Sequence, residues 1–158
     1  MHTPIVIVRA RALALTLAAV VALMCVAAFA EATRAVTFVP AADVAAAFAQ
    51  GTPLLETDRY KVHASRREAP GKAEVHVKDT DIIYVLDGTA TIVTGGAIVE
   101  GTTIAADEIR GSSIRRGTEQ RLAKGDVLIV PNGVPHWFTQ VSHPFLYYVV
   151  KTTDAGAR

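Results

Sequence analysis

The sequence predicts an all-β domain preceded by one short helix, and three observations support that fold class. From residue 54 onward, runs of strand length alternate with turn residues. Residues 60–65 alternate between apolar and polar side chains, as in a half-buried strand. Residues 127–130 and 145–151 are rich in β-branched and aromatic side chains. The chain has 158 residues and 51% apolar content, which is sufficient for one domain with a proper core.

The helix is predicted just before the strands. Pro40 stands at its start, alanine dominates residues 41–49, and Gly51 follows its end. We therefore divide the chain beyond residue 30 into an N-terminal helical segment, 31–53, and a β domain, 54–158. The apolar side chains of the helix are expected to lie against the outside of the sheet.

The N-terminus predicts a secretory signal peptide, residues 1–30. Arg9 and Arg11 precede an uncharged run that ends in the A-x-A cleavage pattern Ala28-Phe29-Ala30. Cleavage after Ala30 would make the protein periplasmic or secreted, with no stable membrane partner. It would also remove Cys25, the only cysteine, and with it any disulfide. The alternative is an uncleaved membrane anchor.

Glycines predict where the β domain turns. Asp87-Gly88 lies between the β-rich runs 82–86 and 89–94 and predicts a hairpin, and Gly95-Gly96 predicts the next turn. Residues 96–117 resemble an insertion, because they contain several glycines and no long apolar run. This stretch is expected to lengthen a hairpin, either as a lid on the mouth of the domain or as a decoration without a chemical role.

One histidine stands directly after a sharp turn near the C-terminus. The predicted apolar strand is followed by Pro131, Gly133 and Pro135. Proline and glycine at these positions favour a reversal of the chain. His136 then opens the aromatic-rich strand 136–141. A neutral imidazole held rigidly after such a turn is well suited to binding a metal.

These residues resemble a motif of the cupin superfamily. The second cupin motif is G-x5-P-x-G-x2-H-x3-N; Gly125, Pro131, Gly133 and His136 match it at every spacing, and Gln140 stands where asparagine is usual. From about residue 54 to 151 the chain resembles a small single-domain cupin of the cupin 2-like type. The resemblance implies a jelly-roll β-barrel that binds a metal, acts on a small molecule and is often a homodimer.

An altered version of the first cupin motif, G-x5-H-x-H-x3,4-E-x6-G, lies upstream. Asp81 lies seven residues before Gly88, where the family has its glutamate, and counting back places Glu74 and His76 on the two histidine positions. The leading glycine is missing. A second alignment places His76 and Lys78 on the histidine pair, with a spacer one residue too short. We prefer the first, which needs no deletion and offers no lysine as a ligand.

The resemblance therefore implies a divalent metal ion held by Glu74, His76, Asp81 and His136. Two carboxylates and two imidazoles suit Fe, Mn, Zn, Ni or Cu. Aspartate is shorter than glutamate, so an alternative places Asp81 beside the ligands rather than on the metal. In a further alternative, Glu74 and Asp81 are carboxylates on the surface at the ends of strands.

Four other residues are candidates for contact with a small-molecule ligand. His63 lies on the polar face of strand 60–65, with a surface position as the alternative. Lys78 and Tyr84 are polar groups near the first motif. Alternation after His136 turns one of two aromatic residues inward, and we take Phe138 as the candidate.

The charge distribution gives no sign of a nucleic-acid surface. The net charge is +1, and acids are interspersed with the lysines and arginines. The basic pairs Arg66-Arg67 and Arg115-Arg116 are each followed closely by glutamate and are predicted to be solvated edges. The alternative is that arginines near the barrel mouth bind an anionic substrate.

Two classes of function follow. The first is an exported metal-dependent cupin enzyme that acts on a small molecule by lyase, isomerase or dioxygenase chemistry. The second is a non-catalytic barrel that binds a metal or a small molecule. The altered first motif favours the binder, and the intact second motif favours a retained metal site. Fold alone does not decide between them.

Overall fold

The computed structural model describes residues 35–153 of the chain. The predicted signal peptide, 1–30, lies outside the described residues. In the described part, no helix is long and apolar enough to cross a membrane. The elements in chain order are α1 (Ala41–Gln50), β1 (Pro53–Glu56), β2 (Tyr60–Arg67), β3 (Ala73–His76), β4 (Asp79–Asp87), β5 (Thr89–Thr94), β6 (Ala97–Val99), β7 (Thr102–Ala105), β8 (Glu108–Gly111), β9 (Ser113–Arg115), β10 (Thr118–Ala123), β11 (Val127–Val130), β12 (His136–Val141) and β13 (Phe145–Thr153).

Eleven of the thirteen strands in the described residues form two antiparallel sheets that pack face to face, and the other two form a small sheet of their own. Sheet A has the order β1-β2-β13-β4-β11, sheet B has the order β10-β5-β12-β3-β8-β7, and β6 pairs with β9 alone. Ile83 and Val85 of sheet A share one buried cluster with Ile92 and Phe138 of sheet B. The predicted all-β jelly-roll is confirmed, as a sandwich: over residues 35–153 the sheets do not join into one closed barrel.

The predicted helix is also confirmed. Pro40 precedes α1, and Gly51 ends it in the left-handed conformation with φ 69°. The Gly51 N–H donates to the Ala47 carbonyl at 2.8 Å. Ala47 is buried, and Phe48 meets Tyr148 of β13 edge to face with 4.9 Å between ring centroids. The helix therefore covers part of the outer face of sheet A.

The predicted hairpin at Asp87-Gly88 is wrong. β4 pairs with β11 and β13 in sheet A, whereas β5 pairs with β10 and β12 in sheet B, so the chain crosses from one sheet to the other at this point. Gly88 has φ 83°, and a Cβ on it would collide with the Ser142 side chain and the Pro144 carbonyl. Asp-Gly favours hairpin turns, but here it forms a tight corner between the two sheets. Both structures require a residue with positive φ, which Gly88 provides.

The predicted excursion of residues 96–117 forms four short strands. β6 pairs with β9, and β8 pairs with both β7 and β3. The segment thus extends sheet B beyond β3 and brings Glu108 and Arg110 beside the candidate site. Closure of this segment as a lid remains a prediction.

Candidate metal and ligand site

The turn after β11 fixes the position of His136. Gly133 has φ 76°, and its N–H donates to the His76 carbonyl at 2.8 Å. The Asn132 side-chain amide donates to the Val77 carbonyl at 3.3 Å, so the turn is tied to the end of β3. His136 is only 2% exposed, and its Nδ1 lies 3.4 Å from the Val134 carbonyl oxygen. A proton on Nδ1 leaves Nε2 free as a ligand atom.

Three side chains converge at this point. His136 on β12 is the direct cross-strand partner of Glu74 on β3, and its Nε2 lies 3.3 Å from Glu74 Oε1. His76 lies two residues along β3 from Glu74, on the same face, and its ring centroid is 5.2 Å from that of His136. One ligand atom from each of Glu74, His76 and His136 lies within 4.8 Å of the other two. This spacing suits a single ion.

Electrostatics keep Glu74 and His76 in the protonation states that suit a metal. Burial would raise the pKa of Glu74, but the hydrogen bond and charge of His136, together with His76 and Arg67, lower it to about 2. Burial lowers the pKa of His76, and the nearby Lys151 ammonium lowers it further. Glu74 is therefore ionised at neutral pH, and His76 is a neutral imidazole with a free lone pair.

Asp81 lies next to the three-residue cluster and is paired with a lysine. Both of its carboxylate oxygens accept from Lys151 Nζ, at 2.7 and 2.8 Å. Its Oδ2 lies 3.5 Å from His76 Nε2 and 3.9 Å from His136 Nε2. The pair is buried, with side-chain exposures of 5% for Asp81 and 14% for Lys151. The carboxylate thus lies beside the cluster and is paired with a lysine.

A cavity of about 270 Å³ opens next to the cluster. Its apolar wall includes Phe138, which packs against Tyr147 with 5.5 Å between ring centroids. Its charged wall contains Arg67, Lys151, Glu108 and Arg110 besides the candidate ligands. A small molecule in this space would touch the metal position on one side and apolar surface on another.

The four predicted ligand-contact residues separate into two pairs. His63 and Phe138 line the cavity, and His63 Nε2 lies 2.8 Å from Glu56 Oε1. Lys78 does not line it, because β3 ends at His76 and the Lys78 ammonium pairs with Asp107 at 3.0 Å. Tyr84 does not line it either, because alternation along β4 turns Tyr84 outward, where it is 44% exposed. The expected pocket positions of Lys78 and Tyr84 are corrected accordingly.

Three cations of the site are not among the predicted site residues. For Arg67 the sequence favours a solvated edge, with an anion-binding arginine at the barrel mouth as the alternative; the residue lies on the same face of β2 as His63 and lines the cavity. The alternation of residues 60–65, continued for two residues, would have placed Arg67 there. Arg110 and Lys151 carry no local signal, because their strands reach the site only through pairing with β3 and β4.

The donor set fits a divalent transition metal. Two imidazole nitrogens and one carboxylate oxygen form the set that non-haem Fe(II) sites use, and the same donors suit Zn, Ni, Mn or Cu. A three-residue set leaves coordination positions for a small molecule. The residues present therefore fit the divalent metal ion that the family resemblance implies.

Comparison with known proteins found a family model and solved structures to which this chain is similar. A family model described as Cupin matches residues 60–158. BH2720 from Bacillus halodurans is 12% identical, with a TM-score of 0.54 over 77% of this chain and 85% of that one. A protein with a double-stranded beta-helix domain from Klebsiella pneumoniae is 21% identical, with a TM-score of 0.46 over 69% and 83% of the two chains. KdgF from Halomonas sp. is 16% identical, with a TM-score of 0.47 over 65% and 78%.

No curated protein matches the sequence closely enough to be reported as a relative. The family model nevertheless spans well over half of the chain, so the protein belongs to the cupin family. The likeness to BH2720 shows the shared fold. The finer cupin 2-like assignment stays a prediction.

Proposed function

We propose that this chain is an exported metal-binding cupin that acts on a small molecule beside a divalent ion held by Glu74, His76 and His136. One observation carries the proposal: three ligand atoms lie within 4.8 Å of one another on the wall of a cavity large enough for a small organic ligand. The sequence alone led to a four-ligand set with Asp81. Because Lys151 already neutralises Asp81, we propose the three-residue set instead.

The chain's own residues prepare the site for chemistry. The low pKa of Glu74 keeps its carboxylate ionised, and the lowered pKa of His76 keeps its imidazole unprotonated. A bound ion would supply Lewis-acid polarisation of a carbonyl, or a redox centre for oxygen. Phe138 excludes water from one side of the cavity. Lyase, isomerase or dioxygenase activity is the enzymatic class that this arrangement supports.

A second candidate function is a non-catalytic barrel that binds a metal or a small molecule. The observation in its favour is that ionic groups of the cavity are already paired with each other, Asp81 with Lys151 and Glu108 with Arg110. Metal-dependent consumption of a substrate or of oxygen would favour the enzyme, whereas stoichiometric binding without consumption would favour the binder.

Export is supported by the signal-peptide pattern of residues 1–30. Sequencing the N-terminus of protein recovered from the periplasm or medium tests it, and Glu31 as the first residue is the expected result. A chain that begins at residue 1 and stays with the membrane would contradict cleavage after Ala30.

The homodimer is supported by an apolar outer face at the β11 edge of sheet A. Its large exposed side chains are Ile82, Tyr84, Val127 and Ile129, which form cross-strand pairs. A second copy of the chain is the proposed partner, because an apolar face at a sheet edge can pair with its own copy. Light scattering should give twice the monomer mass for the wild type, and the monomer mass for Ile129→Asp. A monomeric wild type would contradict it.

A further inference from the structure

Arg67 is a cation of the cavity that the proposed metal site does not use. Its Nη2 lies 3.7 Å from Glu74 Oε1, which is beyond hydrogen-bond distance. Among residues 35–153, the one hydrogen bond of its side chain is donated by Nε to the Tyr147 hydroxyl, at 3.0 Å. Nη2 is therefore within ion-pair range of Glu74, yet in this part of the chain the two terminal guanidinium nitrogens donate no hydrogen bond to a carboxylate.

Packing holds this guanidinium in place. Its central carbon lies 4.6 Å from the centroid of the Phe138 ring, a distance at which a cation and an aromatic face attract each other. The backbone also leaves room for it, because a Cβ at residue 71 would come within 2.7 Å of Arg67 Nη1 and Gly71 has none. A cation that is already ordered loses little conformational entropy when it binds a ligand.

Arg110 faces the same carboxylate from the other side. Its Nη2 lies 3.4 Å from Glu74 Oε2, while Arg67 faces Oε1. Arg110 is also paired with Glu108 at 2.6 Å and is half-exposed at the rim. The two guanidinium groups thus flank the carboxylate that we assign to the metal.

The charge of the cavity wall leads to a ligand class. The negative charges of the lining carboxylates equal in number the positive charges of the lining lysine and arginines. The carboxylates are Glu74, Asp81 and Glu108, and the cations are Arg67, Arg110 and Lys151. A divalent ion would give this balanced wall an excess of two positive charges. In a partly desolvated cavity, an unbalanced charge is costly unless an anion neutralises it.

From this geometry we infer that the cavity binds a small molecule bearing a carboxylate, with Arg67 as the anchoring cation and Arg110 as a second contact at the rim. The inference rests on the proposed function in one respect, because the metal supplies the charge excess. A carboxylate matches the planar donor fork of an arginine, which an alcohol or an amide does not. Arg67 is therefore the residue that selects acids over neutral isosteres.

The test is calorimetric titration of succinate, and of succinamide as its neutral isostere, into the protein with and without Zn(II). We expect succinate to bind the zinc-loaded protein at least tenfold more tightly than succinamide does. Arg67→Gln should weaken succinate binding at least tenfold and leave the zinc stoichiometry unchanged. Arg66→Gln is the matched control, because Arg66 is the adjacent arginine and pairs with Glu68 on the outside. It should bind as the wild type does.

Arg110→Gln provides a second variant if Arg67→Gln does not fold, and it should weaken succinate binding several-fold. Equal affinity for succinate and succinamide, or an unchanged affinity in a folded Arg67→Gln protein, would overturn the inference while leaving zinc binding intact. A wild type that binds no zinc would contradict the proposed function. In that case, Arg67-dependent binding of succinate to the metal-free protein would still support the anion site. If the metal-free protein bound no succinate, the anion site would be overturned.

Discussion

Glu74 and His136 are direct cross-strand partners, and Glu74 Oε1 lies 3.3 Å from His136 Nε2. In the motif alignment that we prefer, Glu74 occupies a position where the first cupin motif has a histidine, and His136 matches the histidine of the second motif. The sheet register therefore brings the altered motif directly against the intact one. A carboxylate at this position can supply a ligand oxygen where the family pattern supplies a nitrogen.

Restoring the family residue at position 74 should preserve the metal. In Glu74→His, three imidazoles replace two imidazoles and a carboxylate, and both sets suit Zn(II). We expect zinc affinity within about tenfold of the wild type in this variant and a loss of at least about 100-fold in Glu74→Ala. Competition with a chromogenic chelator measures both affinities. Equal zinc affinity in the wild type and in Glu74→Ala would show that Glu74 is not a ligand.

Removing the charge of Asp81 should affect the fold more than the metal. Asp81→Asn leaves the buried Lys151 ammonium without its carboxylate, so we expect a loss of about 3–5 kcal/mol in the free energy of unfolding with metal stoichiometry retained. Asp81→Asn combined with Lys151→Met should recover part of that stability. Urea unfolding and elemental analysis of the same samples check both points. A folded Asp81→Asn protein without metal would instead support Asp81 as a ligand.

Acid should destabilise the metal-free protein partly through Glu74. Its pKa is about 2 in the folded state against 4.5 as the ordinary value, so its contribution is present above pH 4.5 and is lost as the pH falls toward 2. That difference corresponds to about 3 kcal/mol. The lowered pKa of His76 acts in the same direction, and its contribution begins to fall below pH 6.5.

The control for this pH dependence is Glu74→Gln, which does not titrate. Urea unfolding of the chelator-treated wild type between pH 5 and 2 should show a steeper loss of stability than that of Glu74→Gln. Parallel curves for the two proteins would contradict the assigned pKa.

The corner between the two sheets should tolerate no side chain. At Gly88, an added methyl group meets both a positive φ of 83° and the Ser142 and Pro144 atoms. Gly88→Ala should therefore lower the free energy of unfolding by about 2–4 kcal/mol. Gly125→Ala is the matched control, with positive φ but nothing within 4 Å of the added methyl, and should cost about 1 kcal/mol. Equal losses would show that crowding at the corner is unimportant.

The sequence predicted the fold well where the information was local. The alternation of residues 60–65, the Pro40 and Gly51 boundaries of α1 and the turn before His136 each depend on neighbouring residues only. Which strands pair across the sandwich depends on contacts distant in sequence. Asp87-Gly88 shows the limit, because the same local conformation serves a hairpin and a corner.

For the candidate site, too, local sequence patterns were informative and contacts between residues distant in sequence were not predictable. Glu74, His76 and His136 came from motif spacing, and the structure brings them together. The pairing of Asp81 with Lys151 was not predictable, since 70 residues separate them and only the β4–β13 register aligns them. Tyr84 is predicted to contact a ligand but points outward. Alternation along β4, which turns Asp81 inward, accounts for this position.

Elemental analysis of the purified wild type beside His136→Ala and Glu74→Ala, with Glu56→Ala as a control outside the cluster, tests the central claim most directly. The three-residue site predicts near-stoichiometric metal in the wild type and in Glu56→Ala, and loss of metal in the other two variants. No metal in the wild type after reconstitution with Fe(II), Mn(II), Zn(II), Ni(II) or Cu(II) would contradict the claim.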